Sequence, residues 1–110
     1  MPFRIILSED FKRESKYLSK RYKSLEDDVL ELIYLLEEDP TFGISIGKGC
    51  FKIRLKISSK NTGKSGGARV ITLVEIIEEQ VTLVSIYDKS EKENISSKDL
   101  DGYLKRIKES

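Results

Sequence analysis

Seven basic residues, Lys48, Lys52, Arg54, Lys56, Lys60, Lys64 and Arg69, fall in one stretch that holds no Asp or Glu. Lys52, Arg54 and Lys56 alternate with Phe51, Ile53, Leu55 and Ile57, so a strand over 51–57 puts cations on one face and apolar side chains on the other. A solvated strand face is the plain use of such a run. Beside a Gly-bearing cationic loop, however, the same face suits a polyanion: lysines act as point charges, arginines fork phosphate oxygens, and loop amides add donors. RNA, DNA and an acidic protein segment all fit that description. Arg69 enters the apolar run ARVITLVEII, so it must either pair with a carboxylate or face the same side as the cations of 51–57. Tyr87 closes the run VTLVSIY and is followed by Asp88, Lys89, Ser90, Glu91 and Lys92, which gathers a phenol, carboxylates and ammonium groups at one sheet end. A tyrosine in such a place is also a common core-edge residue.

The residue inventory narrows the chemistry. With no histidine in the chain, any acid or base must be Lys, Tyr, Asp, Glu or Cys, and triads that rely on His are excluded. A single cysteine, Cys50, cannot form an internal disulfide, and Cys/His zinc sets cannot be assembled. No metal or cofactor is expected, and Cys50, next to Phe51 at a strand start, reads as buried and without a role. The sequence GKSGG invites a phosphate-binding P-loop, but the first glycine of that motif would stand at Ser58, and a strand-like ARVITLV follows instead of a helix. Gly63, Gly66 and Gly67 read as a flexible hairpin loop.

The elements that must carry these residues are legible from periodicity. FRIIL within 1–7 reads as a strand, ended by Ser8-Glu9-Asp10 as a helix cap. Phe11, Ser15, Leu18 and Tyr22 share one helical face, with Lys12, Arg13, Lys16, Lys20 and Arg21 over most of the rest. Ser24, with Asp27 three residues on, reads as a capping-box-like start to a second helix, whose Leu25, Val29, Leu32, Ile33 and Leu36 repeat at helical spacing until Pro40. Residues 10–38 therefore form an antiparallel helical hairpin laid on a sheet. A Gly-bearing connection, TFGISIGKG, leads to a basic three-stranded meander over 51–87, its last two strands buried on both faces. Ser96 and Asp99 cap a final helix over 96–108, with Ile95 and Leu100 placed as a hydrophobic staple and Leu100, Tyr103, Leu104 and Ile107 as its stripe. The order β-α-α-β-β-β-α, with no repeat and no long linker, is an α+β layer of helices on one sheet in a single domain over 1–110.

Composition sets the frame. A chain of 110 residues, 38% hydrophobic, fits one domain that buries roughly two-thirds of its unfolded surface. Lys+Arg number 20 and Asp+Glu 19, so the formal net charge of +1 hides the segregation of the basic window from the acidic second helix. No apolar run approaches the roughly 20 residues that span a bilayer, and the N-terminal apolar stretch is too short for a signal core, so the expected compartment is the cytoplasm.

The blocks KIRLKISSKNTGKSGGARVIT (52–72) and IYDKSEKENIS (86–96) resemble the RelE/HigB branch of the RelE/ParE toxins of type II toxin–antitoxin systems, and SLEDDVLELIYLLEEDPTFGISIGKGCFKIR ahead of them is similar too. The resemblance implies a small cytoplasmic toxin with a RelE-like fold, an antiparallel-rich sheet backed by a two-helix hairpin. It also implies cleavage of messenger RNA in the ribosomal A site, restrained by a cognate antitoxin that binds the basic face or the last helix, in a toxin–antitoxin hetero-oligomer. By position, it marks Arg54, Lys64, Arg69, Tyr87 and Lys89 as catalytic and Lys48, Lys52, Lys56 and Lys60 as RNA- or ribosome-binding. At Asn61-Thr62 the sequence departs from the Gly-Lys pair that relatives often carry. The implied reaction is attack of a ribose 2′-OH on the adjacent phosphate, which needs no metal and leaves a 2′,3′-cyclic phosphate and a 5′-OH. Arg54 and Arg69 would stabilise the phosphorane, Lys64 or Lys52 would take the proton, and Tyr87 or Lys89 would donate one or orient the phosphate. Two other activities remain open on the residues alone: a ParE-like inhibition of DNA gyrase, and a non-catalytic RNA- or ribosome-binding module.

Overall fold

The computed structural model describes residues 2–60 and 66–110. In chain order the elements are β1 Arg4–Leu7, α1 Glu9–Ser19, α2 Leu25–Glu38, β2 Ile44–Gly47, β3 Cys50–Leu55, a 3₁₀ turn Ser58–Lys60, β4 Ala68–Glu75, β5 Gln80–Asp88 and α3 Ser97–Glu109. They build one five-stranded sheet in the order β1-β5-β4-β3-β2. Strands β2 to β5 run antiparallel to their neighbours, while β1 lies parallel to β5. The α+β class expected from the sequence is observed.

Two cores lie on opposite faces of the sheet. On one, Phe11, Leu18, Leu25, Val29, Leu32 and Leu36 of the helical hairpin pack on Ile53, Leu55, Val70, Val81, Leu83 and Ile86. On the other, Cys50, Ile71, Val84 and Tyr87 meet Leu100, with Ile95, Tyr103, Leu104 and Ile107 around it. This two-sided cover is why β4 and β5 read as nearly unbroken apolar runs. The hairpin covers one face, as expected, and α3 docks across the second. The expected connection through 41–49 holds a strand, β2, so the antiparallel part of the sheet has four strands instead of three.

Local chemistry sets the ends of the elements. The Ser8 hydroxyl accepts from the Phe11 amide at 3.0 Å and caps α1, while donating to the Val84 carbonyl at 3.0 Å. The Ser96 hydroxyl likewise accepts from the Asp99 amide at 3.0 Å and caps α3. Ser24 does not cap α2: its backbone is helical and its side chain makes no cap bond. Instead its hydroxyl donates to Asp28 at 2.8 Å, and the Ser59 amide donates to it at 2.8 Å. The buried Asp28 carboxylate also takes the Ser58 amide at 3.0 Å and hydroxyl at 2.7 Å. Competition from Asp28 and the chain after β3 draws Ser24 away from its own helix.

One irregularity sets the register. Between the pairs Ile71↔Ser85 and Thr72↔Leu83, β5 carries one extra residue, Val84. Without this bulge the pairing would run on to place Ile86 opposite Arg69. With it, Tyr87 stands there.

Candidate functional site

Arg54, Arg69 and Tyr87 form one row across three strands: Arg54 pairs with Arg69 between β3 and β4, and Arg69 with Tyr87 between β4 and β5. Residues so opposed have Cβ atoms about 4.5–5.5 Å apart and share a face. Arg69 therefore lies on the side of the strand-51–57 cations. Lys52, two residues from Arg54, continues that face into the next row with Ile71 and Ser85. Lys56 follows beyond the end of β3 and is exposed.

The row is graded in burial. Arg54 is exposed, whereas Arg69 is 2% exposed and donates from Nη1 to the Ala68 carbonyl at 3.2 Å. Arg54 and Arg69 are directly opposed across the strand pair, so two residues of like charge meet there. Gly67 lets β4 approach β3 at this end, since a Cβ there would stand 2.2 Å from the Leu55 carbonyl oxygen.

Tyr87 is 7% exposed, and its hydroxyl has no hydrogen-bond partner among the described residues. Burial pushes the phenol above its usual pKa of 10.0, with the charge of Glu93 adding to the rise and Arg69 and the Ile95 backbone opposing it. At neutral pH the group therefore holds its proton and is a donor. The Lys92 ammonium lies 4.6 Å from the centroid of the Tyr87 ring.

The other expected residues are distributed differently. Lys89 follows β5: its amide donates to the Gly67 carbonyl at 3.0 Å and its ammonium lies 3.8 Å from the Glu93 carboxylate, outside the row. Lys48, in the β2–β3 turn, pairs with Asp101 of α3. The backbone of Lys60 belongs to the 3₁₀ turn, and Lys64 lies outside the described residues. Cys50 is fully buried, and burial raises its thiol above the usual 9.0 against the pull of Lys48. That keeps it protonated and consistent with a packing role. Among the described residues no group of three or more His, Cys, Asp or Glu could hold a metal ion, and no helix is long and apolar enough to cross a membrane.

Two residues outside the expected site positions, Asn94 and Lys92 of the charged cluster after Tyr87, touch the site. Asn94 Oδ1 accepts from Lys52 Nζ at 2.7 Å, and Lys92 lies over Tyr87. Both belong to the irregular stretch between β5 and α3, where no periodic signal marks a side chain's direction. The face thus carries the cations Lys52 and Arg54, with the buried Arg69 and Tyr87 beside them.

Comparison with known proteins gives a consistent result. The profile of the family described as RelE toxin of the RelE/RelB toxin–antitoxin system matches residues 3–109. No curated protein sequence matches the chain. Among solved structures, an arginine double mutant of the Escherichia coli toxin RelE in the free state superposes with a TM-score of 0.65 at 19% identity, covering 97% of this chain and 99% of that one. The same mutant toxin bound to a peptide of its antitoxin gives 0.57 at 17% identity, covering 93% and 94%. The RelBE2 toxin–antitoxin complex of Mycobacterium tuberculosis gives 0.60 at 17% identity, covering 80% of this chain and 99% of that one. These structures share the fold described above.

Proposed function

Because this chain belongs to the RelE toxin family of toxin–antitoxin systems, we propose that it is a metal-independent endoribonuclease that cleaves messenger RNA in the ribosomal A site. The observation that carries this reading is the Arg54–Arg69–Tyr87 row, in which strand register sets the three residues next to one another on one face.

In the reaction, a ribose 2′-OH loses its proton to a base and its oxygen attacks the adjacent phosphorus. The P–O5′ bond breaks, and the leaving 5′ oxygen takes a proton. Arg54 and Arg69 are placed to hold the equatorial oxygens of the phosphorane as negative charge develops there. Tyr87, kept protonated by its burial, is the donor to the leaving oxygen or to a phosphate oxygen beside it. Lys52, next to the row, and Lys64 are the basic groups available to the 2′-OH. A site with this modest equipment gains from a ribosome that holds the message in line, since positioning alone lowers a barrier by several kcal/mol. Lys48, Lys56 and Lys60 would extend the contact to neighbouring phosphates.

The cognate antitoxin should offer acidic or amphipathic segments to the basic face or to α3, neutralising the charge that binds RNA. The deciding experiment maps new 5′-OH RNA ends minutes after induction in a bacterial host, comparing wild type with Arg69→Ala. Codon-phased ends within translated frames, absent in the variant, are the expected result. Growth arrest without such ends would refute the ribonuclease reading and point to a gyrase-type toxin.

A further inference from the structure

The turn between β4 and β5 closes the end of the sheet remote from the Arg54–Arg69–Tyr87 row. It follows Glu75, six residues along β4 from Arg69, which at the rise of a strand is about 20 Å away. Its sequence is Glu75-Ile76-Ile77-Glu78-Glu79. Turns favour Gly, Pro, Asn, Asp and Ser for backbone reasons, yet two β-branched apolar side chains stand at this tip, Ile76 61% and Ile77 92% exposed. The turn closes through backbone groups, the Glu79 amide donating to the Ile76 carbonyl at 3.1 Å, so the isoleucines do not hold it together.

β4 and α3 leave a groove beside this tip, lined by the half-buried Leu73, Leu104 and Ile107, with Glu75, Lys105 and Lys108 around them. Its charges are unequally satisfied. Lys48 and Asp101, which also line it, pair with each other, and Gln80 Nε2 donates to Glu75 at 3.2 Å. Lys105 and Lys108 are exposed and have no ion-pair partner among the described residues, and the same holds for Glu78 and Glu79 of the tip. One surface therefore carries an apolar tip among unpaired carboxylates next to an apolar groove among unpaired ammonium groups. The two are complementary in shape class and in charge. They do not satisfy each other within one chain, where Ile77 is almost fully exposed.

We infer that this end of the sheet is a homodimer interface, in which the Ile76-Ile77 tip of each copy enters the Leu73, Leu104 and Ile107 groove of the other. Glu78 and Glu79 then face the partner's Lys105 and the partner's Lys108. Because tip and groove are neighbours, a two-fold axis between the copies makes both contacts at once and closes the pair. A polyanion is a poor occupant of the same surface, since Glu75, Glu78 and Glu79 surround the isoleucines. The inference goes beyond the ribonuclease reading and does not rest on it. Both rows stay open in such a dimer, at its far ends.

Sedimentation equilibrium of the purified full chain tests the interface, with wild type expected as a dimer at micromolar concentration. Ile77→Asp should weaken dimerisation by at least about a hundredfold, since each of two equal contacts loses a buried isoleucine. Its urea midpoint, measured below the dimer's dissociation constant, should match wild type, because Ile77 is 92% exposed in the single chain. Lys105→Glu with Lys108→Glu should also give monomers, and adding Glu78→Lys and Glu79→Lys to that chain should restore the dimer. A wild type that is monomeric at its highest soluble concentration would overturn the inference, as would a dimer that survives Ile77→Asp or a charge swap that restores nothing. A monomer whose antitoxin binding is lost on Ile77→Asp would overturn it too, and would give the surface to that partner. No readout involves RNA, so the dimer and the ribonuclease reading stand or fall separately.

Discussion

Arg69 and Tyr87 show how far single residues can be read before a fold is known. The sequence limits Arg69 to two options, because an arginine at the head of an apolar strand needs either a carboxylate or a cationic face open to ligand. Strand register places it on the face of the strand-51–57 cations. Tyr87 is legible as a strand-end phenol, yet its proximity to Arg69 depends on a register that no single-strand pattern encodes. Lys92 was legible only as one charge of a cluster and Asn94 not at all, since their directions are set by a turn around Asp88 and not by any periodicity. Because the Tyr87 hydroxyl has no partner among the described residues, Tyr87→Phe should leave the urea midpoint unchanged or slightly raised. The same substitution should lower single-turnover cleavage on the order of a hundredfold, the loss expected when a proton donor is removed. Asp28→Ala should behave in the opposite way in its first readout. It strips the Ser24 hydroxyl and the Ser58 amide and hydroxyl of their acceptor, and should cost about 1–3 kcal/mol in urea denaturation.

Elements explain where the reading succeeded and where it broke. The helical hairpin and the last three strands were legible because their apolar positions recur at 3.6 or 2 over enough residues to outvote exceptions. β2 was not: its four residues lie on a sheet edge, with Ile44 60% exposed, and Gly43, Gly47, Lys48 and Gly49 around it have positive φ. The Val84 bulge is equally silent, since one more apolar residue in an apolar run changes nothing in the pattern while moving Tyr87 onto the row. Gly67 is the point at which β3 and β4 can close on each other. Gly67→Ala should therefore destabilise the protein by about 1–3 kcal/mol and, by prising Arg69 from Arg54, reduce RNA affinity beyond what the stability loss explains. The last helix is tied down by polar contacts as well as by its stripe. Arg106 bonds Asp10 at 2.8 Å, Tyr103 donates to Glu14, and Glu14 also takes the Ser85 hydroxyl at 2.8 Å. Burial tends to raise the Asp10 carboxyl, but hydrogen bonds and charge from Arg106 and Arg13 outweigh it and hold the group below 3.8. A depressed carboxyl stabilises the fold above its unfolded value of 3.8, and this contribution disappears as pH falls through the lower folded value. The difference in unfolding free energy between wild type and Asp10→Asn should therefore be largest above about pH 4 and should vanish in stronger acid.

At the scale of the whole molecule, the formal net charge of +1 says little, because the cations of β3 and β4 are gathered on one face while α2 carries Glu26, Asp27 and Asp28 in its first turn. If Lys52, Arg54, Lys56 and Arg69 each engage one phosphate, the slope of log affinity against log salt for single-stranded RNA should be about −3. A slope near zero would mean that the face does not bind a polyanion. Fold class and the identity of the basic face were readable from the chain; the assembly of that face was not, because it depends on pairings between distant segments. The most distant of these is the parallel pairing of β1 with β5, which joins Arg4 to Gln80 and Leu7 to Leu83. β1 leaves the ribosome well before β5, so it waits for its partner, and Tyr87 joins the row only after β5 has emerged. Such non-local closure is slow compared with helix formation. Until β5 is in place the chain lacks Tyr87 opposite Arg69, so any activity that depends on that row has to wait for the closing of the sheet.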